Sequence, residues 1–367
     1  MLRVIHISHQ PMPYGIGTFL INLLQCQKNR FPDLIVAIAF HAHGPLMATY
    51  QGIGLPVHCL ELSSARDPRV FTRLLRIFRD YDIVNLHSYS PWAFLAAKSA
   101  GKKVVLTFHG TLGIRRGRLS LMRRIYLRNI LARHCDKITF ASASSLSKFE
   151  NAVGRKGEHA RMEVFPYGIS IHGLASAKGR ESIRRELGLA DCFVVGTAAR
   201  ICPIKRIERL IDAFSVLPRE NALKLVIMGA GDDAYEATLR EQVHLHNLND
   251  QVLFLGYRGD AIDVIGALDV FALPTGAPGE AFGIALLEAM SLGVPSIVFA
   301  DGGGAVEIIG DSSFIVKDTS ELCDVILRLK ADAVLRESVA RRVKKRSKLF
   351  DIEHTADHFH RIYTSLV

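Results

Sequence analysis

Long apolar runs are missing from this chain of 367 residues. None reaches the roughly 18 consecutive residues that a spanning helix requires, so no membrane span is expected. The start, Met1-Leu2-Arg3-Val4-Ile5-His6-Ile7-Ser8, is too short and too soon broken for a secretory signal, and it reads as a first β-strand. There is no Cys-x-x-Cys. The six cysteines, Cys26, Cys59, Cys135, Cys192, Cys202 and Cys323, are scattered. That pattern favours reduced, mostly buried thiols and a cytoplasmic setting. Also missing are Gly-x-Ser-x-Gly, Gly-x4-Gly-Lys-Ser/Thr and any His/Asp/Glu cluster at metal-ligand spacing. No low-complexity tract or short-period repeat is present.

What is there is apolar and alternating. The length suits two domains, and 49% apolar residues can supply two cores. Strand-like segments read as 3–8, 34–39, 57–60, 83–87, 103–108, 137–141 and 163–165, with helices beginning near Gly17, Pro68, Pro91 and Leu119. A turn-rich break, Pro166-Tyr167-Gly168-Ile169, and a small polar stretch from Gly173 to Gly179 mark a candidate linker. A second series follows, with strands 193–198, 224–228, 252–255, 270–273, 296–299 and 314–316. Its helices begin near Arg206, Asp232, Asp260, Gly283 and Ser320, and two more run over 333–349 and 352–365. The expected fold is α/β: two doubly wound, Rossmann-like domains, residues 1–170 and 171–351, facing a central cleft. Ligands of such sheets bind at the carboxyl ends of the strands.

Charge is uneven. Residues 1–175 carry 23 Lys and Arg against 9 Asp and Glu, a surplus of 14, whereas residues 176–367 carry 23 against 27, a deficit of 4. The excess gathers over 115–137: Arg115, Arg116, Arg118, Arg123, Arg124, Arg128, Arg133 and Lys137 interleave with Leu119, Leu121, Met122, Ile125, Tyr126, Leu127, Ile130 and Leu131. This reads as a basic amphipathic helix, either a dock for an anionic membrane surface or acceptor, or the solvated face of a basic protein. No basic stripe interleaved with aromatics appears, so no nucleic-acid partner is expected.

The residues best suited to chemistry follow strands. From Ala281 to Ala300 the only charged side chain is Glu288, set among Ala285, Leu286, Leu287, Ala289, Met290 and Leu292. A carboxylate in such a helix needs a partner. Glu280 precedes the helix, and Gly283 stands at its start, where free amides suit an anionic ligand. At about 100° per residue, Glu280 and Glu288 do not share a helix face, so the first belongs to the preceding loop. Carboxylates there can accept from vicinal hydroxyls, as a sugar or ribose reader would. A core glutamate paired internally with Arg or Lys is the alternative. Arg200 and Lys205 lie after the strand 193–198, where two cations can neutralise a diphosphate. Gly15-Ile16-Gly17 opens the first helix and lets backbone approach a phosphate, or is a plain turn. His109, after the strand 103–108, can bond a substrate sugar or serve structure; His87 is placed alike and favours structure.

In this combination, strongest over 196–205 and over 280–295 continuing to Asp301-Gly302-Gly303-Gly304-Ala305-Val306-Glu307, the chain resembles the family 4 retaining glycosyltransferases of GT-B fold. The resemblance covers essentially the whole chain. It implies that Glu280 contacts the donor sugar, with amides around Phe282, Gly283 and Ile284. It also implies that Glu288 holds the ribose, that Arg200 and Lys205 bind the diphosphate, that His109 lies by the sugar, and that Gly15 and Gly17 lie by the phosphates. Base selection is expected through backbone contacts near Leu255-Gly256-Tyr257-Arg258, with Tyr257 among the donor-binding residues, and the last helix, about 352–367, is expected to pack back on the first domain. The chain departs from the family pattern at Pro166-Tyr167-Gly168-Ile169-Ser170, at Arg206 where a Gly often follows the lysine, and at Gly15-Ile16-Gly17 where the family has Gly-Gly.

The activity implied is retaining transfer of a sugar from a UDP- or GDP-linked donor to an acceptor hydroxyl, within glycan, lipid-linked saccharide or glycoconjugate synthesis. No cofactor and no metal is expected, because two cations are present to neutralise the leaving diphosphate. The partners expected are a nucleotide sugar and a hydroxyl-bearing acceptor, lipid-linked ones included, with a peripheral position on the inner membrane face if residues 115–137 dock there. A same-fold sugar-nucleotide epimerase needs an acid/base set that the first half does not display. A non-catalytic sugar-nucleotide-binding protein is disfavoured by the presence of both acids and both cations.

Overall fold

The computed structural model describes residues 1–62, 67–87, 90–110, 132–153, 161–171, 178–220, 222–276 and 279–367. The chain divides into two compact units, Met1–Ile169 with Ile352–Val367, and Ser170–Asp351.

The first unit is built on a parallel sheet of seven described strands: β1 (Leu2–Ser8), β2 (Leu34–Phe40), β3 (Val57–Cys59), β4 (Ile83–Leu86), β5 (Lys103–Phe108), β6 (Lys137–Phe140) and β7 (Met162–Val164), in the order β3-β2-β1-β4-β5-β6-β7. The second has a parallel sheet of six: β8 (Phe193–Ala198), β9 (Leu223–Met228), β10 (Val252–Gly256), β11 (Val270–Leu273), β12 (Ser296–Phe299) and β13 (Ile315–Val316), in the order β10-β9-β8-β11-β12-β13. In both, the order reverses beside the first strand, between β1 and β4 and between β8 and β11. Connections leave such a switch point in opposite directions and open a crevice at the strands' carboxyl ends.

The two faces of the first sheet differ. Ile5, Ile7, Val84, Leu86, Val104, Leu106, Phe108, Ile138 and Phe140 pack one face into an apolar core with Val70, Leu74, Phe78 and Phe94. Because successive side chains alternate, the other face receives His6, Asn85, His87, Thr107 and Thr139, all buried. The helices Gly15–Arg30 and Ile352–Ser365 belong to that side, where Asn85 Nδ2 donates to Tyr363 Oη at 2.7 Å. The last helix buries Ile352, Ala356, Phe359, Ile362 and Tyr363 at helical spacing. Each larger apolar side chain there contributes about 1.5–3 kcal/mol. The exposed pairs of Arg30 with Asp357 (2.7 Å) and Glu353 (3.2 Å) add little beside this.

Several elements depart from the sequence reading. Phe314 lies in a 3-10 turn, Ser312–Phe314, which Asp311 caps by accepting from Ser313 N, and β13 starts only at Ile315. Short helices at Met47–Gly52, Ala143–Val153, Arg180–Glu186 and Gly304–Ile309 carry too little periodicity to stand out. Lys137 belongs to β6 and pairs with Glu163 at 2.8 Å, so it is a strand residue and not part of the basic helix. Residues 115–131 of that helix, and most of the linker from Gly173, lie outside the described residues. Among the described residues no helix is long and apolar enough to cross a membrane.

Candidate active site

At the carboxyl edge of the second sheet, β8 gives way to Arg200 and to a 3-10 turn, Pro203–Lys205. The chain can take this path because Gly229 and Gly231 have no side chains. A Cβ on Gly229 would lie 1.8 Å from the Ala199 carbonyl oxygen, and one on Gly231 would lie 2.3 Å from that of Ile201. Ile201 N donates to Ala230 O (3.1 Å), and Asp232 N to Ile201 O (2.8 Å), so the loop is pinned beside Arg200. The Arg200 side chain is exposed. Arg206 closes the turn in the left-handed region (φ 52°), a conformation that costs an L-residue about 1–2 kcal/mol. This explains why a glycine suits that position.

Lys205 Nζ donates to Glu280 Oε2, joining residues 75 apart in sequence, and both side chains are largely buried. Thr275 Oγ1 donates to the same carboxylate oxygen at 3.4 Å. Glu280 is therefore paired internally, the alternative that the sequence leaves open, and its partner is one of the two cations expected to meet a diphosphate. The backbone of Glu280 is clamped by Glu280 N to Gly302 O (2.9 Å) and Gly304 N to Glu280 O (2.8 Å). Asp301, next to this clamp, takes a bidentate bond from Arg209, both contacts at 2.8 Å, and Arg209 stacks on Phe299. Phe282 is buried against Phe350, and Gly283 (φ 113°) turns the chain into the helix Ile284–Ser291. Only a glycine adopts that angle freely.

Glu288 sits inside that helix. Burial pushes its carboxyl up from the ordinary 4.5 to about 7. The residue as a whole nonetheless keeps some solvent contact, in a mostly apolar surround of Leu286, Leu287, Ala289 and Met290. No described residue supplies the partner that the sequence calls for: no hydrogen bond or ion pair to its carboxylate is found among them. Tyr257, after β10, is 60% exposed, and its neighbour Arg258 is engaged by Glu186 and Asp260.

The corresponding edge of the first sheet carries three histidines in a row. His6 Nδ1 and His87 Nε2 lie 2.8 Å apart, and His87 Nδ1 and His109 Nε2 lie 2.7 Å apart. The ring planes differ by 14° and 28° and the centroids lie 5.1 and 5.0 Å apart, so the rings meet edge to edge through these nitrogens. Desolvation holds His6 and His109 down to about 3 and His87 well below 6.5, so all three are neutral. His109 retains partial solvent contact, whereas His6 and His87 are buried. Phe19 and Tyr167 flank His109, with centroids 5.3 and 5.2 Å away. Sequence reasoning singles out His109, favours a structural role for His87 and misses His6. The signal that finds all three is the alternation itself, since each lies on the polar face of its strand.

Gly15 and Gly17 occupy the first turn of the helix Gly15–Arg30. Gly15 is exposed, but a Cβ on Gly17 would lie 2.1 Å from the Met12 carbonyl oxygen. Gly17 is thus required by close backbone approach. Among the described residues no three His, Cys, Asp or Glu side chains converge as metal ligands.

Two family models divide the chain between them. Residues 179–346 match the model described as glycosyl transferases group 1, and residues 13–172 match that of glycosyltransferase family 4. The chain is 29% identical over 352 residues to a GDP-mannose-dependent monoacylated alpha-(1-6)-phosphatidylinositol monomannoside mannosyltransferase of Corynebacterium glutamicum, covering 89% of this chain and 87% of that one. It is 31% identical over 264 residues, 66% of this chain and 64% of the relative, to a GDP-mannose-dependent alpha-(1-6)-phosphatidylinositol monomannoside mannosyltransferase of Mycobacterium tuberculosis. In fold it is similar to Anabaena Alr3699/HepE, solved in complex with UDP and glucose, with a TM-score of 0.87, 22% identity and 100% of both chains covered.

Proposed function

Because the chain belongs to the family 4 glycosyltransferases of GT-B fold, we propose that it transfers a sugar from a nucleoside diphosphate donor to an acceptor hydroxyl, without a metal and with retention at the anomeric carbon. The observation that carries this reading is the grouping of Lys205, Glu280 and Glu288 on the chain segments that follow β8 and β11, the two strands flanking the switch point of the second sheet.

In this reading the second unit binds the donor. Glu288 accepts from the ribose hydroxyls, which supply the partner that no described residue does. Arriving diphosphate draws Lys205 from Glu280, and Glu280 is then free to accept from the sugar hydroxyls. Arg200, Lys205 and the amides of Phe282, Gly283 and Ile284 stabilise charge that grows on the departing diphosphate, and losing one such group typically costs about 10²–10³ in rate. The sugar passes through an oxocarbenium-like state, and the leaving phosphate takes the acceptor proton on the same face. Two cations do the work of a metal. Gly15, Gly17 and His109 serve from the first unit, whose loops choose the acceptor.

The similarity to two GDP-mannose-dependent enzymes supports GDP-mannose as donor and a lipid-linked polyol as acceptor. A cytoplasmic enzyme docked on an anionic membrane face through the basic residues 115–131 fits that acceptor. The test is release of nucleoside diphosphate from GDP- and UDP-sugars, with and without phosphatidylinositol glycolipids, in the presence of EDTA. Acceptor-dependent release that survives EDTA and falls about 10²–10³-fold in Lys205→Ala supports the proposal. Binding without turnover of any donor, or wild-type rates in Lys205→Ala, contradicts it.

A further inference from the structure

Four residues beyond Lys205 stands another cation, Arg209, which the sequence reading passes over. We propose that Arg209 and Asp301 are positioning residues for transfer, whose bond holds the Glu280 carboxylate where Lys205 and the donor sugar meet it. This deepens the reading above and rests on it for the ligand at Glu280.

Arg209 lies in the first turn of the helix Glu208–Val216, and its side chain is largely buried. Nη1 donates to Asp301 Oδ1 and Nη2 to Asp301 Oδ2, each at 2.8 Å, a fork-on-carboxylate geometry that fixes direction as well as distance. Nη1 also reaches the Pro274 carbonyl oxygen at 3.4 Å, and the guanidinium carbon lies 4.4 Å from the centre of the Phe299 ring. One side chain thus touches the segments that leave β11 and β12, while its own helix follows β8. These three strands are neighbours in the sheet. Gly276 closes the arrangement. A Cβ there would lie 2.6 Å from Asp301 Oδ2 and 2.9 Å from both terminal nitrogens of Arg209, so the ion pair rests directly against that backbone.

The path from the pair to Glu280 is short. On the β12 side, Asp301 is followed by Gly302, whose carbonyl oxygen accepts from Glu280 N at 2.9 Å, and Gly304 N donates to Glu280 O at 2.8 Å. On the β11 side, Pro274 precedes Thr275, whose hydroxyl donates to Glu280 Oε2 at 3.4 Å. Both the backbone and the carboxylate of Glu280 are therefore held by residues adjoining those that Arg209 binds. The two segments carry Gly276, Gly279, Gly302, Gly303 and Gly304, which have no side chains to pack, so directional bonds must set their separation. The turn bearing Lys205 has a different anchor: Tyr235 Oη accepts from Ile207 N at 3.0 Å and donates to Glu208. Loss of the Arg209–Asp301 bond should therefore shift Glu280 against Lys205 and not move the two together.

A lysine could not replace Arg209 here. The planar fork serves both carboxylate oxygens and a carbonyl at once, and its face lies over an aromatic ring, whereas an ammonium is a point charge. Because Asp301 matches its charge, Arg209 serves transfer by holding geometry and not by neutralising the leaving group.

The experiment compares Arg209→Lys, Asp301→Asn and the double variant with the full-length wild type, by hydrogen exchange and by kinetics with GDP- and UDP-sugars. The amides of Glu280 and Gly304 are expected to exchange roughly tenfold faster in each variant, the size of one hydrogen bond, while those of β8 and β9 keep their protection. The kcat should fall about 10–100-fold, as a misplaced binding group costs. Affinity for the bare nucleoside diphosphate, which has no sugar for Glu280 to hold, should be unchanged. The double variant should lose no more than the worse single one, and Arg209→Lys should add little in a Glu280→Ala background. Wild-type exchange at Glu280 and Gly304 in both single variants overturns the positioning role, and so does a rise spread over β8 and β9, which marks general destabilisation. Faster local exchange with unchanged kcat overturns the link to transfer. A loss that persists in full in the Glu280→Ala background, or an equal loss of nucleotide affinity, overturns the route through Glu280. If the wild type turns over no sugar nucleotide, what fails is the functional reading, and exchange at Glu280 and Gly304 alone decides whether the pair holds this carboxylate in place.

Discussion

Replacing Glu288 by glutamine should stabilise the free protein while weakening its grip on nucleotide. In the folded chain the carboxyl titrates at about 7 because burial disfavours its charge, against an ordinary 4.5. At about 1.4 kcal/mol per tenfold, holding it ionised in place costs about 3 kcal/mol. The sign follows from proton binding. Between the two values the folded state keeps a proton that the unfolded state releases, so stability contributed by this group is full below 4.5 and is lost as pH rises towards 7. Glutamine has nearly the same shape and does not titrate.

The difference in unfolding free energy between Glu288→Gln and wild type should therefore be near zero around pH 4.5 and grow to about 3 kcal/mol in favour of the variant by about pH 8. Trp92, the single tryptophan, belongs to the first unit, so circular dichroism or hydrogen exchange of the peptide over 284–291 is the assay for this site. Calorimetry with nucleoside diphosphate supplies the second half. A hydrogen bond to a charged carboxylate is worth about 1.5–3 kcal/mol, so the variant should bind about 10–100-fold more weakly at about pH 8. A stability difference that is flat across this pH range would refute the desolvation argument. Equal nucleotide affinity would refute the ribose contact and leave the desolvation argument standing.

Three other outcomes are expected. Arg206→Gly relieves a left-handed backbone (φ 52°) but loosens the unfolded chain, so thermal denaturation should show a change between zero and about 1 kcal/mol in the stabilising direction; a clear loss would mean that the Arg206 side chain anchors the turn. Gly17→Ala places a methyl where 2.1 Å separates it from the Met12 carbonyl oxygen, and should destabilise the first unit by about 1–3 kcal/mol in denaturant titrations read by Trp92 fluorescence. Lowered histidines bind protons in the unfolded chain below 6.5 but not in the folded one until about 3, so the first unit should lose stability as pH falls across that window, by up to about 1.4 kcal/mol per pH unit for each of His6 and His109. The same denaturation at about pH 7 and about pH 5 checks this, and His6→Phe should flatten the slope.

Much of the fold is legible because parallel strands, buried on both faces, read as apolar runs between helical stretches. Runs such as Phe193–Ala198 and Val270–Leu273 carry their own signal, whereas strand order does not, since it depends on which run pairs with which. The same division separates the parts of the site. Glu288 stands out within a few residues, because a lone acid in an apolar helix contradicts its surroundings. The pairing of Lys205 with Glu280 spans 75 residues and is settled only when β8 and β11 lie side by side. His6, Asn85, His87, Thr107, His109 and Thr139 form an intermediate case. The segments that bear them alternate polar with apolar residues, as in Val4-Ile5-His6-Ile7, Val84-Asn85-Leu86-His87 and Leu106-Thr107-Phe108-His109. Read singly, each is a minor irregularity in a hydrophobic strand. Parallel registry sets His6 beside Asn85 and Thr107 beside Thr139, and alternation then puts all of them on one face. A polar group buried alone costs about 1–3 kcal/mol, so a whole row of them on one face survives only by mutual satisfaction. That makes the second face of the first sheet a wired surface ending at His109, where a uniformly apolar face would have sufficed for folding.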